Sequence, residues 1–172
     1  MKEETRNYEE IINNFIKNIN AKYVTQEPTF NSLEDVVNLD GKNVLSSLDT
    51  LSKSKLGLYI FKDDGLIVYI GKGGTGRTET STSDLKDRIG EELREHKDVG
   101  GNDSQTLSKN IKSENRISGV DSVEIIQRFT LAVIPMGDRF NEHGKLNIKL
   151  MRTAEILELA LISQFNPKYN KT

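Results

Sequence analysis

Apolar residues at helical spacing open the chain. Tyr8, Ile11, Ile12, Phe15, Ile16 and Ile19 form one stripe and predict an amphipathic helix over 3–20. Its acidic residues gather in the first turns, where they suit the helix dipole. "EPTF" breaks the pattern, and two shorter helices are expected over 31–38 and 43–52, with Asp40-Gly41 as the turn between them. At Leu56 the pattern changes to the β-rich runs "LGLYIF" and "LIVYIG" around "KDDG", which predict a hairpin over 56–71. A loop rich in Gly, Thr and Ser follows, Gly73 to Ser83. Asp84 then caps a helix, "DLKDRIGEELREH", whose Leu85, Ile89 and Leu93 form a stripe. Residues 100–119 are polar, with a short helix expected around 104–112. "VEIIQRFTLAVIP" predicts a long strand ended by Pro135, and "MGDRFNEHGKLN" a loop turning at His143-Gly144. "IKLMRTAEILELALISQF" predicts a final helix that stops at about Phe165, before Pro167.

This order of elements predicts an α+β fold, a small antiparallel sheet of about three strands flanked by helices. We divide the chain into a helical N-terminal extension, residues 1–53, and a core, residues 54–172. The extension suits packing or dimerisation, because it has no cluster of catalytic residue types.

Composition narrows the function classes. The 172 residues are 35% hydrophobic and 29% charged, which is globular and not disordered. No apolar run approaches the ~18 residues of a membrane span, and "MKEETRNYEE" lacks the apolar stretch of a secretion signal. The expected location is the cytoplasm. Cysteine is absent, which excludes disulfides and thiolate metal sites. The net charge of −2 points to no polyanionic partner, although residues 104–172 carry ten Lys/Arg against seven Asp/Glu.

The stretch "VYIGKGGTGRT" carries the candidate chemistry. Gly71, Gly76, Arg77 and Thr78 spell G-x4-G-R-T, close to a phosphate-cradling P-loop. Such a loop needs a helix beginning at the glycines and a preceding parallel strand. Here "TETSTS" follows, and the strand is the second arm of a hairpin, so that reading fails.

Two tyrosines, Tyr59 and Tyr69, instead fall on neighbouring strands and can share a pocket. Lys72 stands three residues beyond Tyr69. Arg88 is spaced for an i,i+4 ion pair with Glu92, worth only ~0.3–0.5 kcal/mol on a helix surface. Glu158 has Ala154, Leu161 and Ile162 as helical neighbours, so its carboxylate should be paired, protonated or bound to a metal. With no Cys and two His, a hard oxygen-ligated cation such as Mg²⁺, or Mn²⁺, suits it best. Glu155 is read as a partner of Arg152.

Taken in order, "GLY" (57–59), "YIGK" (69–72), "LKDRI" (85–89) and "EILELALISQFNPKYN" (155–170) resemble the conserved blocks of the GIY-YIG endonucleases. The resemblance covers roughly residues 56–170. It implies a GIY-YIG-like core and a metal-dependent DNA endonuclease, most like the restriction-type or phage-type stand-alone members. Tyr59 would be the general base on water, with Tyr69 bonding water or the scissile phosphate. Lys72 would favour the phenolate and Arg88 would stabilise the pentacovalent phosphorus. Glu158 would hold one divalent ion per active site, and Asn170 would position Glu158 or contact phosphate. Double-stranded DNA is the implied partner, and cutting both strands with one site per chain favours a homodimer. A structure-specific repair nuclease and a non-catalytic nucleic-acid-binding module are the other classes the sequence allows.

Two departures from the family's pattern matter. Many relatives place a histidine one turn after the arginine, where this chain has Glu92. The loop Gly73–Ser83 is also longer than usual. With Arg77 it suits either a DNA groove or a surface insertion. His96 reads as a helix-end residue and His143 as a turn residue.

Overall fold

The computed structural model describes residues 14, 30–33, 54–76, 83–94, 106–115 and 125–170. The strands are β1 (Phe30–Ser32), β2 (Lys55–Asp63), β3 (Leu66–Gly73) and β4 (Thr130–Asp138). They form one antiparallel sheet in the order β1-β4-β2-β3. The helices are α1 (Leu85–Arg94), α2 (Thr106–Asn115) and α3 (Ile148–Phe165). Three long antiparallel strands with flanking helices make this the α+β class that the element order predicts.

Local chemistry explains the elements. The β2–β3 hairpin closes at Asp64-Gly65, which have φ of 47° and 78°. Both central residues of a two-residue hairpin turn of this kind need positive φ, and Asp-Gly supplies them cheaply. Helix α1 begins at Asp84, whose Oδ1 accepts from the Asp87 amide at 2.9 Å. Its other oxygen takes the Ser54 amide at 2.9 Å, tying the cap to the start of β2. Helix α3 is capped by Asn147, which accepts from the Leu150 amide at 3.3 Å, and ends at Asn166 in the left-handed region. Pro167 cannot continue it.

The sheet separates two cores. On one face Tyr59, Phe61 and Tyr69 pack with Leu85, Ile89 and Leu93 of α1, Leu107 and Ile111 of α2, and Phe129. On the other face Leu58, Ile60 and Ile70 pack with Leu150, Met151, Ala154, Leu157 and Leu161 of α3. Each fully buried Leu or Ile contributes about 1.5–3 kcal/mol. A bulge interrupts β3: Phe61 pairs with Tyr69 and Lys62 with Ile67, leaving Val68 as the extra residue. Beyond α3 the chain rounds the β3 edge, where the Tyr169 amide donates to the Val68 carbonyl at 2.8 Å.

Three expectations need correction. Residues 30–32, at the start of the short helix expected over 31–38, form β1 instead and pair with Thr130–Ala132 of β4. The strand expected over 123–135 begins only at Thr130 and runs through Pro135 to Asp138. Residues 125–127 form a helical turn before it, which sends Ile126 and Phe129, three apart, into one core. Pro135 is tolerated inside β4 because a second register shift falls beside it, between Leu56 and Gly57 of β2. The remainder of the helices expected at 3–20, 31–38 and 43–52 lies outside the described residues, apart from Asn14, which is helical and exposed, and Leu33, which is buried and not helical. Arg77 and His96 lie outside them too. No helix among the described residues is long and apolar enough to cross a membrane.

Candidate active site

Pairing of β2 with β3 places Tyr59 opposite Gly71. The Tyr59 ring lies across that glycine: a Cβ there would meet ring carbon Cζ at 2.3 Å and the hydroxyl at 2.5 Å. Any other residue at 71 would evict the ring, so the glycine of "YIG" is a steric requirement of the tyrosine of "GLY". Tyr69, opposite Phe61 in the same unbroken register, lies on the same face, its ring centroid 6.2 Å from that of Tyr59.

Beneath the two phenols lies Glu92, fully buried at 0% exposure. Its Oε1 accepts from the Tyr59 hydroxyl at 3.0 Å, the Tyr69 hydroxyl at 3.3 Å and Arg88 Nη2 at 3.3 Å. Its Oε2 accepts from the Leu107 amide at 3.3 Å, in the first turn of α2. The i,i+4 pair of Arg88 with Glu92 therefore forms at a buried carboxylate and not on a solvated helix surface. Arg88 Nη1 also donates to Glu91 at 3.2 Å.

These neighbours set the proton affinities. Burial first, and then the Glu92 charge, push Tyr59 well above the ordinary phenol value. The same two causes raise Tyr69. Burial raises Glu92 above the usual carboxylate range, although the Arg88 charge and the donated hydrogen bonds hold part of that rise back. Burial weakens the Arg88 guanidinium's hold on its proton, but Tyr59 and Glu92 outweigh it and raise its affinity. The Arg88 charge favours the phenolate expected at Tyr59, but burial and Glu92 outweigh it. Lys72, the cation expected to favour it, is spent elsewhere.

Lys72 pairs across the strands with Leu58, on the α3 face, and its ammonium bonds the Glu158 carboxylate. Glu158 keeps 12% side-chain exposure. Although α3 packs on the opposite face from the two tyrosines, β3 is the edge strand, and the charged pair reaches its rim. Tyr59, Tyr69, Lys72, Arg88 and Glu158 consequently line one cavity of about 360 Å³, with the backbone of residues 73–76 and Ser83 completing the wall. That volume suits a small ligand or one segment of a polymer. Arg88 and Lys72, each paired with a carboxylate, line the cavity beside a glycine-rich wall and offer donors of the kind a phosphate group takes.

Asn170 sits elsewhere. Its amide takes the Ile70 N–H at 2.7 Å and donates to the Ile70 carbonyl at 2.7 Å, so it clamps the backbone of β3 next to Tyr69 and Gly71. It does not touch Glu158 or line the cavity, contrary to the role expected for it. Glu155 does not line the cavity either, and His143 is an exposed turn residue beside Glu142.

Two site residues escaped the sequence reading. Glu92 carried a legible signal: it lies seven residues after Leu85 and three after Ile89, on the apolar stripe of α1. A carboxylate on that stripe is more fully desolvated than Glu158, which keeps 12% side-chain exposure. Arg139, buried at the end of β4, donates from Nη2 to the Gly76 carbonyl at 2.9 Å and anchors the glycine-rich wall. Nothing in its local sequence announced this.

Among the described residues no three His, Cys, Asp or Glu side chains cluster as a metal site. A single carboxylate still fits Mg²⁺ or Mn²⁺, since such ions take one or two protein carboxylates and complete their shell with water and substrate phosphate. Searches with the whole chain match no protein-family profile, no curated protein and no solved structure.

Proposed function

We propose that this chain is a metal-dependent endonuclease of GIY-YIG type that hydrolyses phosphodiester bonds in duplex DNA. One observation carries the reading: two phenols, a guanidinium, an ammonium and a carboxylate from β2, β3, α1 and α3 line a single cavity. Those are the chemical types that phosphodiester hydrolysis requires, and they come from distant parts of the sequence.

Arg88 offers forked donors to the phosphate oxygens as charge accumulates on them. Lys72 adds a point charge beside the same group. Tyr69 bonds water or the scissile phosphate. Tyr59, at the floor of the cavity, holds the attacking water. A divalent ion bound by Glu158 supplies charge stabilisation to the phosphate and the leaving oxygen. Asn170 acts on this site at one remove, by fixing the strand that carries Tyr69 and Lys72. A site that cuts one strand at a time needs two copies to cut both, so we assign the chain a homodimer and restriction-type cutting.

Plasmid nicking in Mg²⁺ tests the reading. Wild-type protein is expected to relax and linearise supercoiled DNA, and Glu158→Ala to lose that activity. Equal, negligible nicking by both proteins would leave only a binding role. Comparison of a random duplex library with flapped and branched substrates then separates restriction-type from structure-specific cutting.

A further inference from the structure

We infer that Glu92 is the terminal proton acceptor of the site, receiving through Tyr59 the proton that the attacking water loses. The inference rests on the hydrolytic reading above. An ionised carboxylate only accepts hydrogen bonds. The Tyr59 O–H, 3.0 Å from Oε1 of Glu92, is committed to that carboxylate; Arg88 donates to the phenol oxygen, and the remaining lone pair is left for the cavity that Tyr59 lines. A water in that space donates to the phenol oxygen, and the phenol already donates to the carboxylate. The proton path is complete before any group moves.

This arrangement removes a difficulty in making Tyr59 the base. A phenol this buried beside an anion does not ionise near neutrality, and Lys72 is bonded to Glu158 instead of to it. No phenolate is needed if both protons shift together. As the water oxygen bonds to phosphorus and the P–O3′ bond breaks, the water proton passes to Tyr59 and the Tyr59 proton passes to Glu92. The departing oxygen takes a proton from solvent water. Glu92 afterwards returns its proton to solvent along the same path. Burial prepares Glu92 for this duty, since a carboxylate with raised proton affinity is a better acceptor than a solvated one.

The groups facing Glu92 include Tyr59 from β2, Tyr69 from β3, Arg88 from its own helix, itself bonded to Glu91, and the Leu107 amide of α2. Arg88 opposes protonation of Glu92, and burial favours it. Because catalysis uses the ionised form, the acid limb of the rate profile moves to higher pH than an ordinary glutamate gives. Glutamine keeps one oxygen to accept from both phenols but turns an NH2 toward the Leu107 amide, so the fate of the acid limb, and not the rate alone, separates a proton acceptor from a positioning carboxylate.

The experiment is the pH dependence of plasmid nicking in Mg²⁺ for wild type and Glu92→Gln, with DNA affinity measured in parallel. Glu92→Gln is expected to lower kcat by about 10²–10⁴-fold, the range for loss of a general base, and to abolish the acid limb while DNA affinity stays. A variant that cuts within a few-fold of wild type, or keeps the wild-type acid limb, overturns the inference and leaves the nuclease reading intact. Wild type that cuts no better than Glu158→Ala overturns both. Should Glu92→Gln fail to fold, carboxyl ¹³C titration of the wild-type glutamates decides: one must titrate above the ordinary range, and none doing so overturns the assignment.

Discussion

On the α1 face of the sheet a carboxylate is fully buried among two phenols, a guanidinium and a backbone amide. On the α3 face the fully buried side chains are aliphatic or thioether, with Phe165 packed beside them, and the charged pair, Lys72 with Glu158, stands at the rim. The two halves of the candidate site thus pay for their charges differently. Glu92 is desolvated and must be satisfied by protein donors, so it is locked into the fold. Lys72 and Glu158 retain contact with solvent and can exchange partners. The fixed half suits orientation of groups, and the exchangeable half suits capture of an ion or a phosphate.

The sharpest way to break this contrast is Glu92→Ala. It strands two hydroxyls and an amide in the core and leaves Arg88 with Glu91, and should destabilise the protein by about 3–5 kcal/mol in urea unfolding. A loss below about 1 kcal/mol would mean that the hub is wetter than its burial indicates. Asn170→Ala comes next. Stripping both bonds from the Ile70 backbone should cost about 1–3 kcal/mol and make hydrogen exchange at the Ile70 amide faster than in wild type. Lys72→Met should have the smallest effect on stability, under about 1 kcal/mol, because the pair it breaks is partly exposed. Under the proposed function the same change nonetheless reduces nicking severely, so stability and activity separate on the α3 rim and move together at the α1 hub.

The hairpin and its order in the fold were legible because Asp64-Gly65 can adopt what a tight turn demands and few other pairs can. Helix α1 was legible from Asp84 and the spacing of Leu85, Ile89 and Leu93. Strand β1 was not, because three residues carry too little periodicity and gain their hydrogen bonds only from a partner about a hundred positions away. Pro135 misled as a strand terminator, since the register shift that accommodates it is a property of the pairing. Tyr59, Tyr69, Lys72, Arg88 and Glu158 were all named from their order along the chain, and the fold brings them to one cavity. Their pairings are not readable in the letters: alternation along β3 sends Lys72 toward α3, where it meets Glu158, and the burial of Glu92 beneath both phenols depends on how α1 docks on the sheet.

The bulge at Val68 separates two jobs that a regular strand would merge. Removing Val68 outright would restore an unbroken ladder with Tyr69 still opposite Phe61 and every later side chain on its present side. The inserted residue is therefore surplus for aiming the phenol. What it contributes is a spare carbonyl on the outer margin, the one that receives the Tyr169 amide. The irregularity reads as a mooring point: the tail is fastened there, and the neighbouring clamp on Ile70 follows from where the rope is tied.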